Sequence, residues 1–401
     1  MRRLLLALLF VVPAGSATAG STYSAGGLGE PSLEEPARLR ALGGAGAAEH
    51  GPRNFSLVNP ASVAEVDRLI LEGTVLPGMR HVESLSGETE DAHDTVIPSL
   101  RALVRLPMRI VLGAAYIAGT NGRFGIDRPE SSGTPSTLRI DGTGGIDLIR
   151  ATIGRQVNRH FNVGVDYEVI VGSYQEQWSR DFADTALATT RDTLETTWEK
   201  HGRWRLGAQL HSSRFGIGAA YEFERRLPLE TTQTTSGSST HTEHLNLVIP
   251  SGFAVGASAQ LTNRMRLAGQ YRRANWSRES LQSDLVAFRP LERYGAGVEW
   301  LPPAINVNAP FYRRLPLRLG ASLLRWPDLL PVAGAVDISG GTAGIEEKTV
   351  YFGTGIRSVD KGGSIDMTLE AGTRGDKSEL GISEKFLRFA ITLQVSDDTW
   401  R

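Results

Sequence analysis

The chain has 401 residues, with 43 Lys and Arg against 44 Asp and Glu, and it contains 45 glycines and no cysteine. The near-zero balance excludes the broad basic field that draws a protein to nucleic acid. The missing thiols exclude disulfides, thiolate metal sites and cysteine nucleophiles.

Arg2 and Arg3 precede an apolar stretch from Leu4 to Ala14, and Ala17-Thr18-Ala19 supplies a small-x-small pattern. This reads as a secretory signal over residues 1–19 with a mature start at Gly20. The stretch is too short for a membrane-spanning helix, and Pro13 interrupts it. Residues 20–65 have a different texture: small residues, several prolines, a short possible helix near Leu33 to Leu42, and the run Gly43-Gly44-Ala45-Gly46-Ala47-Ala48.

From residue 66 to the end, one pattern repeats. Phe161, Val163, Val165, Tyr167, Val169 and Val171 make one face, and Asn162, Gly164, Asp166, Glu168, Ile170 and Gly172 make the other. A period of two is a strand signal that no helix produces. Strands are predicted near 67–85, 94–106, 108–119, 145–158, 161–180, 190–211, 214–228, 241–262, 264–278, 291–301, 314–326, 347–358, 363–374 and 384–396. A ten-residue strand tilted by about 45° spans roughly 23 to 25 Å, the height of an outer-membrane apolar band.

Connections alternate between tight and long. Tight ones fall at Pro107, Arg159-His160, Ser212-Ser213, Asn263 and Lys361-Gly362; long ones at 86–93, 120–144, 181–189, 229–240, 279–290, 327–346 and 375–383, with 302–313 as an exception. This parity predicts an all-β fold: a transmembrane antiparallel β-barrel of about 14 strands in the outer membrane of a Gram-negative-type bacterium, with both termini periplasmic. Closure is a physical requirement, because an open edge would leave backbone groups unpaired in hydrocarbon. Trp178, Trp276, Trp300 and Trp326 near strand ends are expected to form an aromatic girdle.

The non-lipid parity carries Asp166, Glu168, Arg203, Arg205, Glu222, Glu224, Arg266, Arg272, Arg318, Asp366, Glu370, Arg374 and Arg388. These are candidate lumen-lining residues, and their mixed sign argues against a strongly ion-selective pore. Salt-bridged filling of the interior and a polar solute path are both open at this point. Gly44-Ala45-Gly46 lacks the third glycine and strand context of a dinucleotide loop. His241 and His244 stand three apart on opposite faces of a strand, which does not make a zinc pair. The sequence offers no catalytic triad, metal motif or cofactor motif.

The glycine and alanine run at 43–48 followed by Asn59-Pro60-Ala61, the segment Leu247 to Gly256, and the stretch from Gly363 to Trp400 together resemble the FadL/TodX-like family of outer-membrane transport proteins. The resemblance implies a 14-stranded barrel that moves fatty-acid-like or other hydrophobic compounds and has a lateral opening near a kinked strand. Gly119 to Gly125 is the candidate kink. It also implies that residues 20–65 form a hatch, with Gly43, Gly44, Ala45, Asn59, Pro60 and Ala61 as structural hatch residues, and that residues 66–401 form the barrel. The expected function is passive uptake of hydrophobic small molecules without covalent chemistry. Alternatives are a scaffold or secretion accessory and a porin for polar solutes. Expected partners are membrane lipid, lipopolysaccharide, a hydrophobic ligand and, during biogenesis, the barrel assembly machinery.

Overall fold

The computed structural model describes residues 20–25, 28–130, 134–184, 186–236, 240–277, 287–302, 310, 314–331, 341–357 and 363–397. The expected signal at 1–19, the expected tight turn at Lys361-Gly362, the chain end at Trp400-Arg401 and parts of the connections at 279–290, 302–313 and 327–346 lie outside the described residues.

Fourteen strands form the wall: β1 (Leu69–Ser84), β2 (Thr89–Leu106), β3 (Ile110–Ala118), β4 (Ser136–Asn158), β5 (Phe161–Phe182), β6 (His201–His211), β7 (Phe215–Glu222), β8 (Gly252–Gln260), β9 (Met265–Ala274), β10 (Leu291–Trp300), β11 (Leu317–Pro331), β12 (Thr342–Arg357), β13 (Ser364–Arg374) and β14 (Ile382–Asp397). Each pairs antiparallel with the next, and β14 pairs with β1 from Leu69↔Asp397 to Ser84↔Ile382, so the ring is closed. Every wall strand therefore has a partner on both sides, as a hydrocarbon environment demands.

Burial follows the alternation. Along β7 the pattern is strictly exposed then buried, with Phe215, Ile217, Ala219 and Tyr221 outward and Gly216, Gly218, Ala220 and Glu222 inward. A slip of one residue would put Glu222 into lipid. The exposed aromatic residues include Tyr167, Trp178, Trp204, Phe215, Tyr221, Phe223, Tyr294, Trp300, Phe352 and Phe389. Trp276 and Trp326, expected in the girdle, are instead buried. Trp326 shares the inward parity of Arg318 and packs edge-on against Tyr23, while Trp276 packs on Phe288.

Three expected strands are broken in two. The stretches 190–211, 214–228 and 241–262 give way at Glu199-Lys200, at Phe223-Glu224 and at Pro250-Ser251. The freed pieces at Thr190–Trp198, Arg225–Thr235 and His241–Ile249 pair with each other and with the far half of β5, extending the wall as a sheet beyond the ring. Part of what the sequence presents as long loops is thus ordered strand.

Residues 28–66 run inside the ring. They include the short helix α1 (Ala37–Arg40) and a 3-10 turn at Pro60–Glu65, capped by the Asn59 side chain accepting from the Ala61 amide. Their close approach to the wall depends on inward glycines. A side chain at Gly164, Gly207, Gly218, Gly295 or Gly320 would overlap the segment at Pro60, Asn59, Ala47, Gly43 and Ala41, respectively.

The lipid face gives a direct test of register. Leu319, outward on β11 between Val298 and Phe352, is 56% exposed. Leu319→Arg is expected to destabilise the barrel by about 2–4 kcal/mol, read by reversible urea unfolding in lipid vesicles; an inward residue at this position would give no depth-dependent cost.

Candidate functional site

The inward face is dominated by arginine and glutamate held in three clusters, and the N-terminal segment supplies a member of each. In the first, Glu34 bonds Arg272 at 2.7 Å and Arg150 at 3.1 Å, while Arg150 bonds Glu168 at 2.8 Å, Arg205 bonds Glu222 at 3.0 Å, and Arg203 also pairs with Glu168. In the second, Glu30 meets Arg374 at 2.5 Å and Arg388 at 2.9 Å; Arg374 also meets Glu347 at 2.7 Å and Glu384 at 2.9 Å, and Arg40 pairs with Glu370. In the third, Arg38 meets Glu49 and Glu299, each at 2.8 Å, Arg318 joins Glu299 at 2.8 Å to Asp366 at 2.7 Å, and Arg266 pairs with Glu49.

Of the residues picked by parity, Asp166, Glu168, Arg205, Glu222, Arg318, Asp366, Glu370 and Arg374 are buried, and Arg203, Arg266, Arg272 and Arg388 are part-buried and paired. Glu224 is different: β7 ends at Glu222, so Glu224 falls in the break and is exposed. Parity did not extend to the segment, where Glu30, Glu34, Arg38, Arg40 and Glu49 have no strand period to place them.

Gly43, Gly44, Ala45, Asn59, Pro60 and Ala61 are all buried. Asn59 donates to the carbonyls of Ala47 at 2.8 Å and Ala208 at 3.2 Å, joining two parts of the segment to β6. His241 and His244 are exposed, and among the described residues no cluster of metal-ligating side chains is present.

The third wall strand is irregular where glycines crowd. After Ala118 the chain turns inward, and Thr120–Asn121 leave the wall to pair with Glu30–Pro31 of the segment. The chain returns to β4 at Phe124↔Gly142. Opposite the departure, Gly144, Gly145 and Gly172 have φ of +96°, +143° and +115°, values that favour glycine. The β2–β3 ladder stops at Ser99↔Ile117, so residues 89–96 of β2 pair only with β1. A seam thus opens between β2 and residues 124–130, crossed by a contact from Asn121 Nδ2 to Asp94 Oδ2 at 3.4 Å.

Beside the inward turn lies a cavity of about 140 Å³. Its wall is largely apolar, with Ile117, Ile146, Leu148, Ile170, Ile249, Trp276 and Leu291, and its charged end holds Glu34, Arg203, Glu222, Arg272 and Arg293. Three arginines against two glutamates leave one positive charge over. That charge is on Arg293, which is 8% exposed and makes no ion pair or hydrogen bond among the described residues. Its inward parity with Glu299 was readable in β10, but its lack of a partner was not.

In the segment, Glu35 stands apart from the arginines. It accepts from Leu57 N at 3.0 Å and from the Ser56 hydroxyl. Burial pushes its carboxyl from 4.5 up to about 7, against the lowering effect of those two bonds. For Glu34, burial acts the same way, but Arg272 and Arg150 outweigh it and hold the carboxyl below its ordinary range.

The fold is a closed 14-stranded antiparallel β-barrel with an apolar outward face and a charged inward one. The solved structures it resembles include the P. putida toluene transporter TodX, at 13% identity and a TM-score of 0.58 over 91% of this chain and 99% of that one. The CymD monoaromatic hydrocarbon channel follows at 14% identity and 0.55, over 90% of this chain and 97% of that one. A Pseudomonas aeruginosa FadL homologue matches at 11% identity and 0.56, over 92% of this chain and 98% of that one. At such identities the likeness is one of fold. No curated protein sequence matches the chain. The family model described as BamG matches residues 1–401, and the chain belongs to the BamG family.

Because Glu35 keeps its proton to higher pH in the fold than in the unfolded chain, its stabilising contribution is complete below pH 4.5 and is lost as pH rises through about 7. Protection factors of the amides of residues 33–58, that is exchange rates corrected for intrinsic base catalysis, are therefore expected to fall between pH 5 and 8 in the native chain, and Glu35→Gln is expected to flatten that dependence. An unchanged pH profile in the variant would refute the assignment.

Proposed function

We propose that this protein is a passive outer-membrane channel for small hydrophobic molecules that carry one negative group, with residues 20–65 acting as its hatch and both termini in the periplasm. The observation that carries the reading is the cavity: an apolar wall ending in a buried guanidinium, that of Arg293, which has no partner among the described residues. Burying such a charge alone is costly, and a ligand carboxylate would relieve that cost with a charge-assisted hydrogen bond. Size restricts the ligand. About 140 Å³ is close to the volume of an apolar cavity that accepts benzene, so one ring or a short chain fits and a long acyl chain does not. The seam beside Gly119 gives a sideways exit next to the cavity. The printed descriptions of TodX and CymD as a toluene transporter and a monoaromatic hydrocarbon channel support a ligand of this size. Nothing in the route requires a covalent step.

The ion pairs favour a second reading. Glu30, Glu34, Arg38, Arg40, Glu49 and Glu65 of the segment are tied to the wall, and a hatch so held suits a barrel that carries nothing and serves as a scaffold or secretion accessory, with the barrel assembly machinery as a partner to test. A path for polar solutes has less support, because most inward charges already satisfy one another.

Uptake into liposomes separates these readings. With the native protein, a monoaromatic carboxylate and a monoaromatic hydrocarbon are both expected to enter faster than through lipid alone. Arg293→Leu is expected to slow the carboxylate about 10- to 100-fold, the equivalent of roughly 1.5–3 kcal/mol for a bond to a charged group, and to leave the hydrocarbon unaffected. Equal loss for both probes would remove Arg293 from recognition, and no uptake of either would favour the scaffold.

A further inference from the structure

The short-turn end of the barrel has a charge pattern unrelated to the cavity. Four hairpins that are neighbours around the ring, β2–β3, β4–β5, β6–β7 and β8–β9, present Arg109, Arg159, Arg214 and Arg264 at their turns. The stretches 101–126, 148–165, 200–221 and 244–277, which contain these hairpins or their near parts, hold no Asp or Glu. In a chain whose overall charge is −1, the wall strands of this arc are basic at their turns, and the carboxylate that reaches them from the segment, Glu65, is taken up by His211 at 2.7 Å and Asn162 at 2.9 Å.

The turns are built alike. The Asn158 side chain accepts from the His160 amide at 2.8 Å; the Ser212 hydroxyl accepts from the amides of Arg214 and Phe215 at 3.3 and 3.2 Å; the Thr262 hydroxyl accepts from those of Arg264 and Met265 at 3.2 and 3.0 Å. Each of these three turns is also tied to the next wall strand along the ring. His211 N donates to His160 O at 2.8 Å, Gln260 N to Arg214 O at 2.7 Å, and Leu301 N to Arg264 O at 2.6 Å. The arginines therefore project from an ordered backbone belt. In the first turn, Met108 and Arg109 both adopt φ of +60°, a left-handed pair of non-glycine residues.

Among the described residues, none of Arg109, Arg159, Arg214 and Arg264 has an ion-pair partner, and all four are exposed. Arg155 is a fifth, outward on β4 between the exposed Ile153 and Val157. Next to the arginines stand exposed apolar side chains of the lipid-facing wall: Met108, Val157, Leu210, Phe215 and Leu261. A guanidinium placed at the edge of an apolar band suits a surface with hydrocarbon on one side and phosphate on the other. An acidic protein docking on the rim would need the charges but not this apolar border.

We infer that this arginine arc is a binding surface for anionic phospholipid headgroups, with the guanidinium groups on phosphate and the neighbouring Met108, Phe215 and Leu261 against the acyl chains. The arc holds the barrel at a fixed depth in the phospholipid leaflet and collects anionic lipid around β2 to β9.

Native mass spectrometry of the full chain in non-ionic detergent tests this with phosphatidylglycerol, phosphatidylcholine and lipopolysaccharide as probes. The native protein is expected to retain phosphatidylglycerol at least fivefold over phosphatidylcholine, with retention falling as salt rises. Arg109→Gln, Arg159→Gln, Arg214→Gln and Arg264→Gln together are expected to abolish that preference, and the same four positions changed to Lys to keep most of it. Arg128→Gln, Arg139→Gln, Arg191→Gln and Arg225→Gln at the opposite end are expected to have no effect. Heat-modifiable gel migration reports folding of each variant, and the salt titration of the native chain stands if the glutamine variant does not fold. Equal retention of the two phospholipids, a preference for lipopolysaccharide that the four glutamine changes in the arc abolish, or an equal loss in the opposite-end variant would overturn the inference. So would an acidic protein captured through the arc with no lipid preference.

Discussion

The structure depends on pairing arginine with glutamate where water is scarce. A strand ring in lipid must be apolar outside, so its polar residues point inward, and fourteen strands close around more space than their own side chains fill. Inward charges at this density would not be tolerated unpaired. The chain meets that constraint by sending residues 28–66 into the ring with charges of both signs. Glu30 and Glu34 find the arginines of β4, β9, β13 and β14, and Arg38 and Arg40 find the glutamates of β10 and β13. Such pairs are better evidence of position than of net stability, since the cost of removing charge from water offsets most of their attraction. Their arrangement in three clusters places the segment in one register relative to the wall.

Almost every inward arginine has a carboxylate, whereas Arg293 has none among the described residues and borders an apolar cavity. Almost every wall strand is laddered along both edges through the ring, whereas β2 and the continuation of β3 separate beyond Ser99↔Ile117. Both exceptions occur on the side where Thr120–Asn121 turn inward to meet Glu30–Pro31. One short pairing thus joins the segment, the seam and the cavity, which is why a change in the segment would reach all three.

Much of the wall was legible in the sequence because its period is two and its faces meet different solvents. Phe161 to Gly172, Phe215 to Glu222 and Phe386 to Val395 could be placed from alternation alone, and their charged residues inherited an inward direction. Legibility failed where the period failed. Residues 20–65 show no alternation, so the partners of Arg38, Arg40 and Glu49 follow only from three-dimensional packing. Breaks at 199–200, 223–224 and 250–251 escaped because each spans only two residues with strand-like sequence on both sides, even though Glu, Lys and Pro are poor strand formers, and this also misplaced Glu224. Trp326 was misread for another reason: its place near a strand end suggested an interface, while its shared parity with Arg318 already marked it as inward.

The central claim is that the interior is occupied by residues 28–66 and held there by the three charge clusters. Conductance of the purified full chain in a planar bilayer tests it most directly. A filled ring predicts no steady ion current at moderate voltage. A stable, large conductance in the native protein would contradict it, because such a current requires a continuous aqueous path where the segment lies.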